Sequence, residues 1–148
     1  MALPMRIEGR WLAGADGIER PVFDGFVVTR GGVQLAISLL IDTGADLTVL
    51  APAVAEQLVS SAQPTPTAAV VGGVGGTQEL YELDVDLLLP TITGQRARIR
   101  GPLPILLNPG SLELSVIGRN LLDQFTLIYS RPRDVLQLLT PPDSFTLM

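Results

Sequence analysis

The chain has 148 residues, 47% of them apolar and 17% charged, which suits one ordinary domain with a real core and excludes a disordered chain. It has no Cys and no His, and its 10 basic residues are all Arg, so disulfides, thiolate or imidazole catalysis, Cys-type zinc sites, Schiff-base chemistry and the P-loop lysine are excluded. A net charge of −5 argues against a nucleic-acid partner. An enzyme built from what remains, with no metal and no cofactor, must work through carboxylates, hydroxyls, tyrosines or backbone groups.

Taken in chain order, Arg6, Glu8 and Arg10 interrupt the N-terminus where the apolar core of a signal peptide would run. No apolar run approaches the ~18–20 residues that cross a bilayer. A soluble, cytoplasmic address with no membrane partner is expected. Asp16 and Asp24 each precede a glycine and read as turn residues. "PVFDGFVVTR" and "VQLAISLLI" read as strands joined at Gly31-Gly32, a hairpin signal. The second strand runs into Asp42, Thr43 and Gly44, which leaves a carboxylate at the end of an apolar strand.

"PAVAEQLV", with Pro52 first, predicts a short helix. "SSAQPTPTAA" predicts an extended, mobile connection. "VVGGVGGTQELYELDVDLLLP" predicts a Gly-rich tip and then one long alternating strand, with Asp84 and Asp86 on its wet face. "TITGQRARIRGPLPILL" predicts a hairpin turning near Gly94; its Arg96, Arg98 and Arg100 share one face, read as solvated rather than as an anion-binding stripe. After the turn-rich "NPGSLELS", "VIGRNLLDQF" predicts a strand ending in Gly118 and a helix with Asn120 as its N-cap. "TLIYSRPRDVLQLL" predicts two strands around an "SRPRD" turn. No repeat or second domain is evident, so residues 1–148 are expected to form one domain.

Three runs gain meaning together: "LLIDTGADLTVL", "VVGGVGGTQE" and "SVIGRNLLDQF". Singly they are weak. Asp-Thr-Gly also occurs in phosphate-binding turns, and the Gly-rich tip fails G-x-G-x-x-G because Gln78 stands where the third glycine belongs. In this order, however, they resemble the retropepsins, the single-domain retroviral-type aspartic proteases, over about Phe23 to Leu139. The resemblance implies an all-β, closed-barrel acid-protease fold with one or two short helices, active as a symmetric dimer.

The chemistry agrees with that resemblance. Peptide hydrolysis by carboxylates needs one group to take a proton from water and another to give one to the substrate, and two adjacent carboxyls that share a proton supply both. The chain has only one Asp-Thr-Gly, so a complete site requires a homodimer, with Asp42 facing its mate across a two-fold axis. By resemblance, Asp42, Thr43 and Gly44 form the catalytic triplet, with Thr43 bracing the dyad and Gly44 admitting the substrate and taking unusual backbone angles. Ala45 and Asp46 would contact the substrate backbone. Val70 to Gly76 would form the flap over it, with Gly72, Gly73 and Val74 contacting the substrate, and Arg119, paired in a buried bond with Asp46, would hold the loop together with Gly118.

Leu47 departs from the family, which often has a second acid there, and predicts a more apolar subsite. The region between flap and "VIGRN" is enlarged. In retropepsins the chain ends interleave to hold the dimer, a role for which "MALPMRIEGRWL" and "DSFTLM" are the candidates here. The expected activity is endopeptidase cleavage of extended peptide or protein segments, with apolar side chains beside the cut and a mildly acidic optimum. The alternatives are a non-catalytic retropepsin-fold module for dimerisation or peptide binding, and a fragment of a membrane protein or polyprotein.

Overall fold

The computed structural model describes residues 5–73 and 76–140. Period-two alternation of apolar residues dominates, so strands make up most of it, with two short helices as expected.

The largest sheet has six strands. The "PVFDGFVVTR" and "VQLAISLLI" runs form β3 (Glu19–Thr29) and β4 (Gln34–Ile41), an antiparallel pair whose turn closes between Thr29 and Val33. Gly32 makes that turn possible with φ +88°. β2 (Arg10–Ala13) lies on one side of β3, and β7 (Val85–Pro90) then β8 (Arg96–Ile99) on the other. β10 (Ser115–Ile117) runs parallel to the far edge of β4, with Ile117 opposite Ile41.

Two three-stranded sheets complete the fold. One is the hairpin of β5 (Thr65–Gly73) and β6 (Gly76–Leu83) with β9 (Leu103–Ile105) beside β6. The other joins β1 (Arg6–Glu8), β12 (Val135–Leu139) and β11 (Thr126–Ser130) in that order. α1 (Pro52–Gln57) begins on the proline that suits a first helical turn, and α2 (Arg119–Leu122) follows β10 directly. Phe23, Leu39, Leu50, Leu87, Ile117 and Leu138 centre the main core. A smaller cluster of Val49, Leu80, Leu106 and Val116 lies apart from it.

Several local expectations are corrected. The Ser/Pro/Thr-rich connection is half strand, because β5 starts at Thr65 and finds partners on β6. The long alternating run breaks at Asp84 into β6 and β7. Asp86 is not wet: β7 is covered on both faces, Val85 to Leu89 are all buried, and Asp86 is 0% exposed. Arg98, on the face read as merely solvated, bonds Asp86, while Arg96 lies over the Phe26 ring. Asp16 does stabilise a turn by accepting from Ile18 N, but Asp24 stands in mid-strand on β3, accepting from Arg10 and Ser38. The described part of the N-terminal run folds onto its own chain, β1 against β12 and β2 against β3, while residues 1–4 and "DSFTLM" lie outside the described residues.

Candidate active site

β4 carries Asp42 out of the sheet at its C-terminal end. The Asp42 amide still bonds to Ile117 O of β10 (3.1 Å), so the last rung of the β4–β10 ladder fixes where the side chain starts. The chain then turns sharply. Ala45 N donates to Asp42 O (3.2 Å), and Gly44 N donates to Asp42 Oδ1 (3.0 Å). That amide orients the carboxylate, as a charge-assisted bond does. Gly44 does not take left-handed angles, contrary to the sequence expectation. A Cβ there would come within 3.3 Å of Asp42 Oδ1, so the glycine keeps this approach open. Asp42 is half-buried; Thr43 and Gly44 are exposed.

The loop is stitched to the segment after β10. Arg119 N donates to Ala45 O (2.9 Å) and Asn120 N to Asp46 O (3.1 Å). Beneath them lies a half-buried knot: Thr48 N and Thr48 Oγ1 both donate to Asn120 Oδ1, at 2.8 and 2.9 Å, and Gly118 N donates to Thr48 Oγ1 at 3.1 Å. Asn120 is therefore not the N-cap of α2; Gly118 is, and the Asn side chain reaches back 72 residues instead. Gly118 is packed hard against the loop, since a Cβ on it would lie 2.3 Å from Leu47 O.

Arg119 pairs with Asp46, but their side chains are 49% and 82% exposed. The expected buried pair is thus a surface pair in the single chain, where such contacts contribute about 0–1 kcal/mol. The backbone bonds and the Thr48–Asn120 knot hold this loop more firmly than the ion pair does.

Above the loop, the β5–β6 hairpin lies over a cleft of about 630 Å³ that Asp42, Asp46 and Leu47 line from below and Val70, Val71 and Gly72 from the hairpin. Gly72 pairs with Thr77 and Gly73 with Gly76; Val74 lies outside the described residues. Among the described residues of the hairpin, Gly76 has a positive φ, +113°. Gly72 has open space around its Cα. Sequence reasoning also missed Gln78 and Ser111, which line the same cleft. Gln78 appeared only as a broken glycine motif, and nothing local distinguished Ser111 from other loop serines. Among the described residues no His, Cys, Asp or Glu group has a metal-binding arrangement, and no helix is long and apolar enough to cross a membrane.

A strand-borne Asp-Thr-Gly turn, laced to an Ile-Gly-Arg-Asn segment beneath a glycine-rich hairpin, defines a retropepsin-like fold. Residues 27–121 match the family model described as aspartyl protease, and the chain belongs to that family. Among solved structures it is similar to a retropepsin-like aspartic protease from Rickettsia conorii, at 18% identity and TM-score 0.51, over 93% of this chain and 91% of that one. The EIAV protease complexed with the inhibitor HBY-793 also matches, at 23% identity and TM-score 0.44, over 70% of this chain and 86% of that one. A comparison with curated proteins finds no match.

Proposed function

We propose that this protein is a homodimeric aspartic endopeptidase in which Asp42 from each of two chains forms one catalytic dyad. The observation that carries the reading is that Asp42 sits, half-exposed and oriented by Gly44 N, in a cleft under the β5–β6 hairpin, with one Asp-Thr-Gly per chain. Two such carboxylates across a two-fold axis hold one proton between them. The ionised one takes a proton from water as its oxygen attacks the scissile carbonyl carbon. The protonated one gives its proton to the carbonyl oxygen. The tetrahedral gem-diol then collapses: one of its hydroxyls returns a proton to the ionised carboxylate, the C–N bond breaks, and the other carboxyl gives its proton to the departing nitrogen, leaving a carboxylic acid, an amine and a dyad that again holds one proton.

Thr43 braces the dyad from the turn. Ala45 and Asp46 meet the substrate backbone from below, with Gly72 and Gly73 above, so that an extended peptide lies between loop and hairpin as an added strand. Arg119 and Gly118 keep the loop in place. Hairpin closure removes water from around the dyad. Leu47, 40% exposed in the cleft, favours apolar side chains near the cut.

A peptide library screened from acidic to neutral pH, with wild type and Asp42→Asn in parallel, tests this. Cleavage strongest at mildly acidic pH is expected, with Asp42→Asn lowering kcat by about 10²–10⁴-fold or more. Equal activity in the variant would sink the proposal.

A further inference from the structure

Resting on the protease reading above, we infer that Gln78 and Ser111 form a polar subsite in the cleft that accepts a hydrogen-bond-donating side chain of the substrate. Among the described residues, the buried side-chain polar atoms without a hydrogen-bond partner are Gln78 Oε1 and Ser111 Oγ. Both residues line the cleft that holds Asp42. Folded proteins pair nearly all such atoms, because burying one without a partner is destabilising. Two of them, brought into one cleft from strands and loops 33 positions apart (111 − 78), call for an explanation in the cleft itself.

Local packing does not supply it. On β6, Gln78 follows the inward alternation that continues at buried Leu80, and it stands opposite Val71. Val71 and Leu112, the neighbour of Ser111, both pack on the small apolar cluster around Leu80 and Val116. An aliphatic residue at 78 and an alanine at 111 would suit this wall better. Polar groups that lower stability yet occupy a binding cleft mark positions where function opposes stability.

The chemistry restricts the occupant. Gln78 Oε1 only accepts, and Ser111 Oγ accepts or donates, so the incoming group must bring N–H or O–H. The two do not bond one another, so a primary amide with two N–H groups can serve both, and a hydroxyl can serve one. The backbone of an extended peptide pairs with main-chain groups while alternate side chains enter the walls. The groups here are on wall side chains, so they read a substrate side chain of the Asn, Gln, Thr or Ser kind. The carboxylates of Asp42 and Asp46 in the same cleft disfavour an acidic one.

The test uses peptides exchanging Asn for Leu, or Thr for Val, at one position at a time. Cleavage (kcat/KM) is measured with wild type, Gln78→Leu, Ser111→Ala and the double variant. Binding of the same peptides is measured by calorimetry to Asp42→Asn, with and without the Gln78 and Ser111 changes. At one position wild type should prefer the donor over its isostere by roughly tenfold, and the double variant should lose that preference. It should still cut the best apolar peptide within a few-fold, and its Tm should stay level or rise. The absence of a discriminating position overturns the inference. So does an equal loss on all peptides, which indicates a backbone contact or a hairpin latch. So does a lower Tm with preference intact, which indicates a structural pair bridged by water. Donor-selective binding without any cleavage would instead overturn the protease reading and leave the subsite standing.

Discussion

Asp86 is the residue where burial and charge meet most directly. It is fully buried on β7 and accepts from Gly101 N (2.8 Å), Arg98 Nε (2.8 Å) and Arg30 Nη1 (2.9 Å). The Gly101 amide first, then the Arg98 and Arg30 guanidiniums, outweigh the effect of burial and hold its carboxyl down from 3.8 to about 2. A carboxyl whose pKa is depressed on folding stabilises the fold above its unfolded value, and that contribution fades as pH falls through the folded one. The window here is therefore from about pH 4 down to about pH 2, and the contribution at neutral pH is about 2 kcal/mol. Asp86→Asn should lower stability by about that amount at pH 7, and the gap from wild type should close toward pH 2. Urea unfolding at pH 7, 4, 3 and 2 measures it; a gap that stays constant would contradict the assignment. Period two alone placed Asp86 on the wet face, because alternation does not reveal that a strand is covered on both sides. Asp42 was legible for the opposite reason: its strand, turn and glycine are contiguous in the chain.

At the scale of elements, the site depends on how closely α2 and β10 approach the Asp42 loop. Gly118 is the point of closest approach, with Leu47 O 2.3 Å, Leu47 C 2.5 Å and Ala45 O 3.0 Å from where a Cβ would stand. All three are backbone atoms, which cannot swing aside as a side chain can. Gly118→Ala should cost about 1–3 kcal/mol by overpacking and, because it displaces the loop, should reduce activity even at temperatures where the variant is folded. Gly72→Ala is the contrasting case: nothing lies within 4 Å and φ is not positive, so stability should change by no more than about 0.5 kcal/mol. Thermal melts of the two variants settle the comparison, and equal losses would refute it. The glycine pattern of the hairpin was visible in the sequence, but which glycine needs its freedom was not. The resemblance gave residues 70–76 as the flap without distinguishing its glycines, and among the described ones Gly76 has a positive φ. The Thr48–Asn120 knot was invisible for a simpler reason, since its partners lie 72 residues apart and each has an ordinary local explanation.

At the scale of the whole molecule, one chain presents a single Asp-Thr-Gly carboxylate, with Asp42, Thr43 and Gly44 all reaching solvent, and the proposed mechanism needs a second one. The described N-terminal strand β1 is hydrogen-bonded to β12 of the same chain, and Thr140 N donates to Met5 O at 3.1 Å. Pairing of a second copy therefore does not require this strand to be exchanged. If each site needs Asp42 from both copies, an inactive chain should act as a poison. Wild type mixed with a ninefold excess of Asp42→Asn, at concentrations well above the dimer dissociation constant and after subunits have exchanged, leaves about 1% of dimers fully wild type. Activity per wild-type chain should then fall to about a tenth of its value alone, and an equal mixture should lower it to about half. A site completed within one chain predicts no loss at either ratio. Sedimentation of the same mixtures separates the cases, because a fall in activity counts for the shared dyad only where the species in solution is a dimer throughout. Full activity retained by a strictly monomeric species would show that a second chain is not needed to complete the carboxylate pair.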